Sequence, residues 1–260
     1  MDERQDADLP AVTRRRVLIQ GAVAGAVAWT VPTVLSSPAA AQGSGARLLY
    51  GLSSGGNLYT VDPATAASTL VGATGIPSPG GLAWDASTGT MYAGSWSNGN
   101  LYTLNLTTGA GTLVGSTGLG GASVIGLARN TTTGVMYLNF WSAGRLYTVN
   151  TTTAAVTAVG LNGLGGVSYA LAYDSTNDQM YATNATANLY RVNLTTGAFT
   201  LVGATGTGSA NLGIAYDDIA DAMYGTTSNG NLYSVNRTTG AYTLVGATGI
   251  PDPRAIEFAP

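Results

Sequence analysis

The side chains able to do chemistry in this 260-residue chain form a restricted set. There is no histidine and no cysteine, and every one of the ten basic residues is an arginine. A Ser-His-Asp triad, a thiolate nucleophile, an imidazole or thiolate metal site, a Schiff-base lysine and a phosphate-loop lysine are therefore excluded. Carboxylates, guanidiniums, hydroxyls, amides and aromatic rings remain. A pair of carboxylates could hydrolyse a glycosidic bond, at a separation of roughly 5–10 Å. Flat rings beside amides and hydroxyls could hold a sugar ring or a small apolar ligand without reacting with it. The residues that suit the second task are Trp96 and Trp141, with Phe140 next to Trp141, and Asn139, Ser168, Tyr169, Asn211, Asp252 and Arg254.

These residues are marked by a repeat of about 43 residues that they interrupt. Asn57-Leu58-Tyr59-Thr60 recurs at 100–103, 145–148, 188–191 and 231–234, with its tyrosines 43, 45, 43 and 43 apart. Thr69-Leu70-Val71-Gly72 recurs with its glycine at 115, 160, 203 and 246. A third segment ends in Tyr50, Tyr92, Tyr137, Tyr181 and Tyr224, and a fourth centres on Leu82, Leu127, Leu171, Ile214 and Ile256. Each is short, rich in aliphatic and aromatic residues, and bounded by Gly, Asn, Asp or Thr, which are strand signals. Four strands in a period of 40–45 residues describe one blade of a β-propeller. We call the strands a (Leu82 type), b (Tyr92 type), c (Tyr59 type) and d (Gly72 type). The repeats begin at strand b, near Arg47, and end with a lone strand a at Ala255–Phe258. The sequence thus predicts an all-β, five-bladed propeller over 47–260, closed by the C-terminal strand joining the N-terminal blade.

Spacing separates the two faces of the ring. From the strand-a aliphatic to the strand-b tyrosine there are 10 residues in all four repeats where both exist. From the strand-c tyrosine to the strand-d glycine there are 13 in all five. Every length change falls in the b–c and d–a connections, which emerge together in a meander. Binding is expected on that varied face, where Trp96 and Trp141 occupy equivalent positions in adjacent blades. The constant face is explained by turn chemistry. Asn105–Gly109 and its copies are hairpin turns, with Asn initiating and Gly taking positive φ, so Ala66 and Ala154 in the glycine position imply strain. Asp85, Asp174 and Asp217 close strand a by the same means. Asp217, Asp218 and Asp221 read as a solvated turn. Trp84, Tyr173, Tyr216 and Phe258, with Arg129 in the remaining blade, read as inter-blade packing.

Residues 1–41 read as an address. Arg14, Arg15 and Arg16 precede an apolar stretch from Val17 to Val31, and Ala39-Ala40-Ala41 supplies a small-residue cleavage site. Cleavage is expected after Ala41, leaving a short linker at 42–46 and the propeller. The Thr-Arg-Arg-Arg-Val-Leu run resembles a twin-arginine (Tat) export signal. The location expected is extracellular, periplasmic or the cell envelope, with no membrane attachment after cleavage, since no second apolar stretch is long enough to span. The net charge of −3 offers no footprint for nucleic acid.

The Asn-Leu-Tyr-Thr-Val-Asp-Pro-Ala-Thr segment at 57–65, followed by Thr-Leu-Val-Gly at 69–72, resembles the Leu-Tyr-x-Val-Asp repeats of a family of exported bacterial propellers of unknown function. The resemblance covers 47–260 and implies the propeller and the exported location; it brings no catalytic residues. Three functions stay open. The leading one is a non-catalytic binding protein without a cofactor or metal, whose partner is a carbohydrate or a cell-envelope component. A glycoside hydrolase or lyase would need a second acid beside Asp252, with Glu257 in strand a as a residue that could reach the channel. A structural surface or matrix protein would suit the Thr-, Ser-, Asn- and Gly-rich exterior.

Overall fold

The computed structural model describes residues 47–119, 124–141, 144–165 and 168–260. Arg14, Arg15, Arg16, the expected cleavage point at Ala41 and the linker lie outside them. The chain divides at Ala41/Gln42 into two units, and only the second contains described residues.

Those residues form twenty strands in five four-stranded antiparallel sheets. The first sheet holds β1 (Leu48–Ser53), β2 (Asn57–Val61) and β3 (Ser68–Ala73). The second is β4 (Pro79–Asp85), β5 (Thr90–Ser95), β6 (Asn100–Leu104) and β7 (Gly111–Ser116). The third is β8 (Val124–Arg129), β9 (Met136–Phe140), β10 (Arg145–Val149) and β11 (Val156–Leu161). The fourth is β12 (Ser168–Asp174), β13 (Gln179–Asn184), β14 (Asn188–Val192) and β15 (Phe199–Ala204). The fifth is β16 (Asn211–Asp217), β17 (Ala222–Thr227), β18 (Asn231–Val235) and β19 (Tyr242–Ala247). The last strand, β20 (Pro253–Ala259), pairs with β1 and completes the first sheet in the order β20-β1-β2-β3. The protein is an all-β five-bladed propeller whose ring is closed by its own C-terminus, as the phase of the repeats predicts.

The blades pack face to face through the aliphatic and aromatic residues of strands a, b and c. Tyr92 and Leu101 of the second blade, for example, share a cluster with Leu127, Met136 and Phe140 of the third. A bulge recurs in every c–d pair. Leu58 faces Gly72 but Tyr59 faces Leu70, which leaves Val71 unpaired, and the four other blades repeat the slip. The glycine at this bulge lies under the c–d turn of the next blade. A Cβ on Gly72 would stand 2.2 Å from the Thr108 carbonyl oxygen, on Gly203 2.1 Å from that of Thr239, and on Gly160 1.9 Å from that of Thr196. The constant spacing of 13 is the geometry of this latch.

The turn residues behave as their types dictate. Asn105 Oδ1 accepts from the backbone N–H of Thr107 (2.9 Å) and Thr108 (3.0 Å). Gly109 has φ +81°, whereas Ala66 and Ala154 are held at +66° and +63°, the strained conformation expected for alanine there. Asp85 caps its turn through Ser87 (2.9 Å) and Asp217 through Ile219 (3.0 Å).

Inner strands β4, β8, β12, β16 and β20 approach so closely along the axis that only about 10 Å³ is left among Gly81, Gly126, Ala170, Gly213 and Ala255. That is space for about one water. The channel is pinched at its waist, and its two mouths are separate places.

Candidate functional sites at the two mouths

The b–c and d–a connections do share a face. Trp96 N–H donates to the Ser78 carbonyl (2.7 Å), Ser54 N–H to that of Asp252 (3.0 Å), and Ser228 N–H to that of Ala210 (3.0 Å). Each bond ties the end of strand b to the d–a loop of its own blade. On this face the structure brings Trp96 and Trp141 together, with ring centroids 5.4 Å apart and planes tilted by 42°. Both rings pack with Ala185 and Ala210 against buried Leu212. Arg254 lies 5.2 Å above the Trp96 ring and is held by Asp252 at 2.7 Å. Asp252 itself sits at φ +46°. The product is a half-buried pair of tilted aromatic rings with a guanidinium fixed over one of them.

Three other residues expected at this site do not reach it. Phe140 is fully buried and packs edge-on against Tyr147, with centroids 5.2 Å apart. Asn139 is fully buried, and its Oδ1 accepts from Gly126 N–H at 2.8 Å. Asn211 is fully buried beside Thr205 and Thr207. Asn139 and Phe140 end β9 and Asn211 opens β16, and at these loop-face strand ends an amide serves the backbone or a ring fills the core. The side chains of Ser168 and Tyr169 lie outside what the structure describes. The platform is consequently less polar than the sequence suggests. Asp252 has no carboxylate partner beside it, because all the other acids of 47–260 belong to the opposite half of the ring.

That half carries a second feature. The a–b turns surround an axial cavity of about 40 Å³. Trp84, Tyr173 and Tyr216 supply aromatic walls, and Arg47, Asp218 and Glu257 supply charge. Arg47 pairs with Asp218 at 2.8 Å, and Arg129 pairs with Asp85 at the cavity edge. Tyr216 carries Arg237 at 5.2 Å over its ring, and Arg237 is ion-paired to Asp174 and Asp221. Trp84, Arg129, Tyr173 and Tyr216 line this cavity, and the aromatic ones also pack between blades as their repeat position implies: Trp84 against the cluster of Tyr50 and Leu52, Tyr173 with Tyr137, and Tyr216 with Tyr181, while Phe258 is fully buried.

Glu257 is the unusual residue here. It faces Tyr50 across β20–β1, as Ala83 faces Tyr92 across β4–β5. The matching positions in the other blades are Ala128, Ala172 and Ala215. Four blades therefore use alanine where the fifth places a carboxyl. Burial pushes that carboxyl up to about 8, with Arg47 and the backbone of Trp84 and Phe258 pulling the other way and Asp218 adding to the rise. The column Ala, Ala, Ala, Ala, Glu is visible in the sequence. Its meaning is not, since alignment alone does not say that the position faces a cavity. Among the described residues no group of three or more Asp or Glu side chains is placed to hold a metal.

The class defined by these observations is the five-bladed β-propeller with a hydrophobic, aromatic loop face and an acidic, aromatic turn face. No family model matches the chain, and no curated protein matches it. Solved structures do share its architecture. One is from a nidogen/laminin complex, with a TM-score of 0.59 at 14% identity over 82% of each chain. A protein of unknown function from Bacteroides thetaiotaomicron VPI-5482 gives 0.54 at 15% identity, over 77% of this chain and 58% of that one. An auxiliary nutrient binding protein from the same organism gives 0.51 at 14% identity, over 78% and 61%. The chain spans less than two thirds of the length of the two Bacteroides proteins. At these identities the likeness is one of fold.

Proposed function

We propose that this chain is an exported, non-catalytic binding protein that holds its ligand on the loop face, over the Trp96–Trp141 platform. The contact between these rings carries the reading. They come from adjacent blades, occupy equivalent repeat positions, remain partly exposed, and are fixed by Leu212 beneath and Arg254 above. An apolar surface of two rings tilted by 42°, with the Arg254 guanidinium over one of them, suits the face of a sugar ring whose hydroxyls meet Arg254 and Asp252. A carbohydrate or cell-envelope glycan is accordingly the ligand class. The lone carboxylate on this face, the missing His, Cys and Lys, and the absence of a cofactor motif support binding without turnover. Export rests on Arg14–Arg16, the apolar stretch after them and the expected cleavage at Ala41. One fold-similar structure is a nutrient binding protein and another belongs to a protein–protein complex, both compatible with a binding role.

The test is a panel of glycans and cell-wall polysaccharides presented to the protein and to the Trp96→Ala/Trp141→Ala double variant, with folding checked by circular dichroism. The expected outcome is binding by the parent and a loss of at least about tenfold, near 1.4 kcal/mol, in the folded variant. If neither protein binds any glycan, the carbohydrate reading is withdrawn.

One observation favours a structural role as a second reading. Leu70, Leu113, Leu201 and Leu244 are exposed at equivalent positions on the outer strands β3, β7, β15 and β19. None of those strands contains a charged residue or a proline to discourage edge-to-edge pairing. Sedimentation at rising concentration decides it: ordered self-association supports this reading, and a monomer throughout removes it.

A further inference from the structure

The turn face differs from the loop face in charge. Arg145, Arg254 and Asp252 lie toward the loop face, while eight acids and four arginines lie toward the turn face. The loop half is therefore slightly positive and the turn half strongly negative. The axial cavity opens at the centre of that negative half, where a low-dielectric concavity concentrates the field.

The groups around the cavity select among ligands. The two arginines are already paired, Arg47 with Asp218 and Arg129 with Asp85, so an anion would find no uncommitted guanidinium. Of the two carboxyls in the lining, Asp218 is paired with Arg47 and Glu257 is in no ion pair among the described residues, and one unpaired carboxylate is too few for a divalent metal, which takes six or more oxygens as calcium. One carboxylate beside the rings of Trp84 and Tyr173 suits a small organic cation, which gains from both the charge and the ring quadrupoles, while Tyr216, whose ring already carries Arg237, only closes the wall. A cavity of about 40 Å³ holds roughly three waters or the end of an alkyl chain. Finally, four blades show that the fold is content with alanine where Glu257 stands, so the fold itself does not require the carboxyl.

We propose that the axial cavity on the turn face is a second binding site, which receives a small alkylammonium group, with the Glu257 carboxylate as counter-ion and Trp84, Tyr173 and Tyr216 as its walls. Binding requires Glu257 to be ionised. Its proton is held tightly by burial, with Asp218 adding to the effect and Arg47 opposing it. The other charged or titratable groups at the cavity are Arg129, Tyr173 and Tyr216, and Tyr50 faces Glu257 across the strand pair. The amine is thus taken up with release of one proton, and affinity rises with pH toward 8.

Ethylammonium chloride is the probe, titrated into the full chain and followed by the indole N–H signals of its tryptophans, with ethanol as the neutral counterpart. The expected result is a shift confined to Trp84, leaving Trp96 and Trp141 unmoved, saturating in the millimolar range. It should tighten about tenfold per pH unit between 6 and 7.5, with ethanol ineffective. Glu257→Gln and Glu257→Ala should each abolish the shift while retaining the fold. An equal response to ethanol, an unchanged response in both variants, or no shift at Trp84 at 100 mM and pH 8.5 overturns the proposal. A glycan response at Trp96 and Trp141 reports on the other mouth and leaves this result independent.

Discussion

Glu257 shows how one residue can set a property of the whole protein. Its carboxyl titrates near 8 in the fold, against about 4.3 in an unfolded chain. The folded state therefore binds the proton more tightly. The sign follows: Glu257 imposes no penalty below about pH 4, and stability falls as pH rises through the interval to about 8, by up to about 1.4 kcal/mol per unit. Glu257 is only partly covered, so the full sum is an upper bound. Chemical denaturation from pH 5 to 8.5 should show this decline in the parent and a flatter profile in Glu257→Ala. That variant, which copies the other four blades, should be the more stable protein at pH 8 by about 2 kcal/mol or more. Equal profiles would mean that the carboxyl is better hydrated than its surroundings imply.

At the scale of the strand and its turn, the c–d latch makes a graded prediction. Gly160 leaves its Cβ position 1.9 Å from the Thr196 carbonyl, but Gly246 leaves 3.0 Å to that of Thr65. The looser latches, at Gly115 and Gly246, are the two whose facing turns carry Ala154 and Ala66 in place of glycine. Gly160→Ala should therefore cost on the order of 3 kcal/mol or more, because two backbones must separate. Gly246→Ala should cost clearly less, on the order of 1 kcal/mol. Urea midpoints of the two variants decide the order, and a reversed order would refute the latch. This element was half legible in advance. The spacing of 13 and the glycine turn were plain in the sequence, as was the strain at Ala66 and Ala154. That the strand-d glycine meets the turn of the neighbouring blade was hidden, because the contact joins residues 36 or 38 apart, and 181 apart at the ring closure, and no local pattern encodes it. The same limit explains Asn139, Asn211 and Phe140. Their types suit a binding face, yet full burial at the loop-face ends of their strands commits them to the backbone and the core.

At the scale of the ring, closure is the main dependence. β20 pairs with β1 along its whole length, and Arg47 just before β1 reaches Asp218 in the adjoining blade. Removing residues 253–260 would strip the first blade of its inner strand and expose β1 as an edge. The expected outcome is loss of the cooperative transition, with association or aggregation measurable by light scattering. A permuted chain that joins the ends and opens at a b–c turn should keep the fold. Retention of a sharp monomeric transition by the truncated chain would show that closure is dispensable.

By itself the sequence determined the blade count, the strand order, the closure by the terminal strand and which loops share a face. All of these follow from repeat period, phase and spacing, which are local or periodic properties of the chain. It also determined what chemistry is absent, because composition alone does that. Tertiary structure decided which polar residues are consumed by the fold, that Trp96 and Trp141 touch, and that the axis is pinched into two unlike mouths. It also decided that the one carboxyl in an alanine column faces a cavity. Those facts depend on packing between blades, where the distance between side chains is set by the whole ring and not by their separation along the chain.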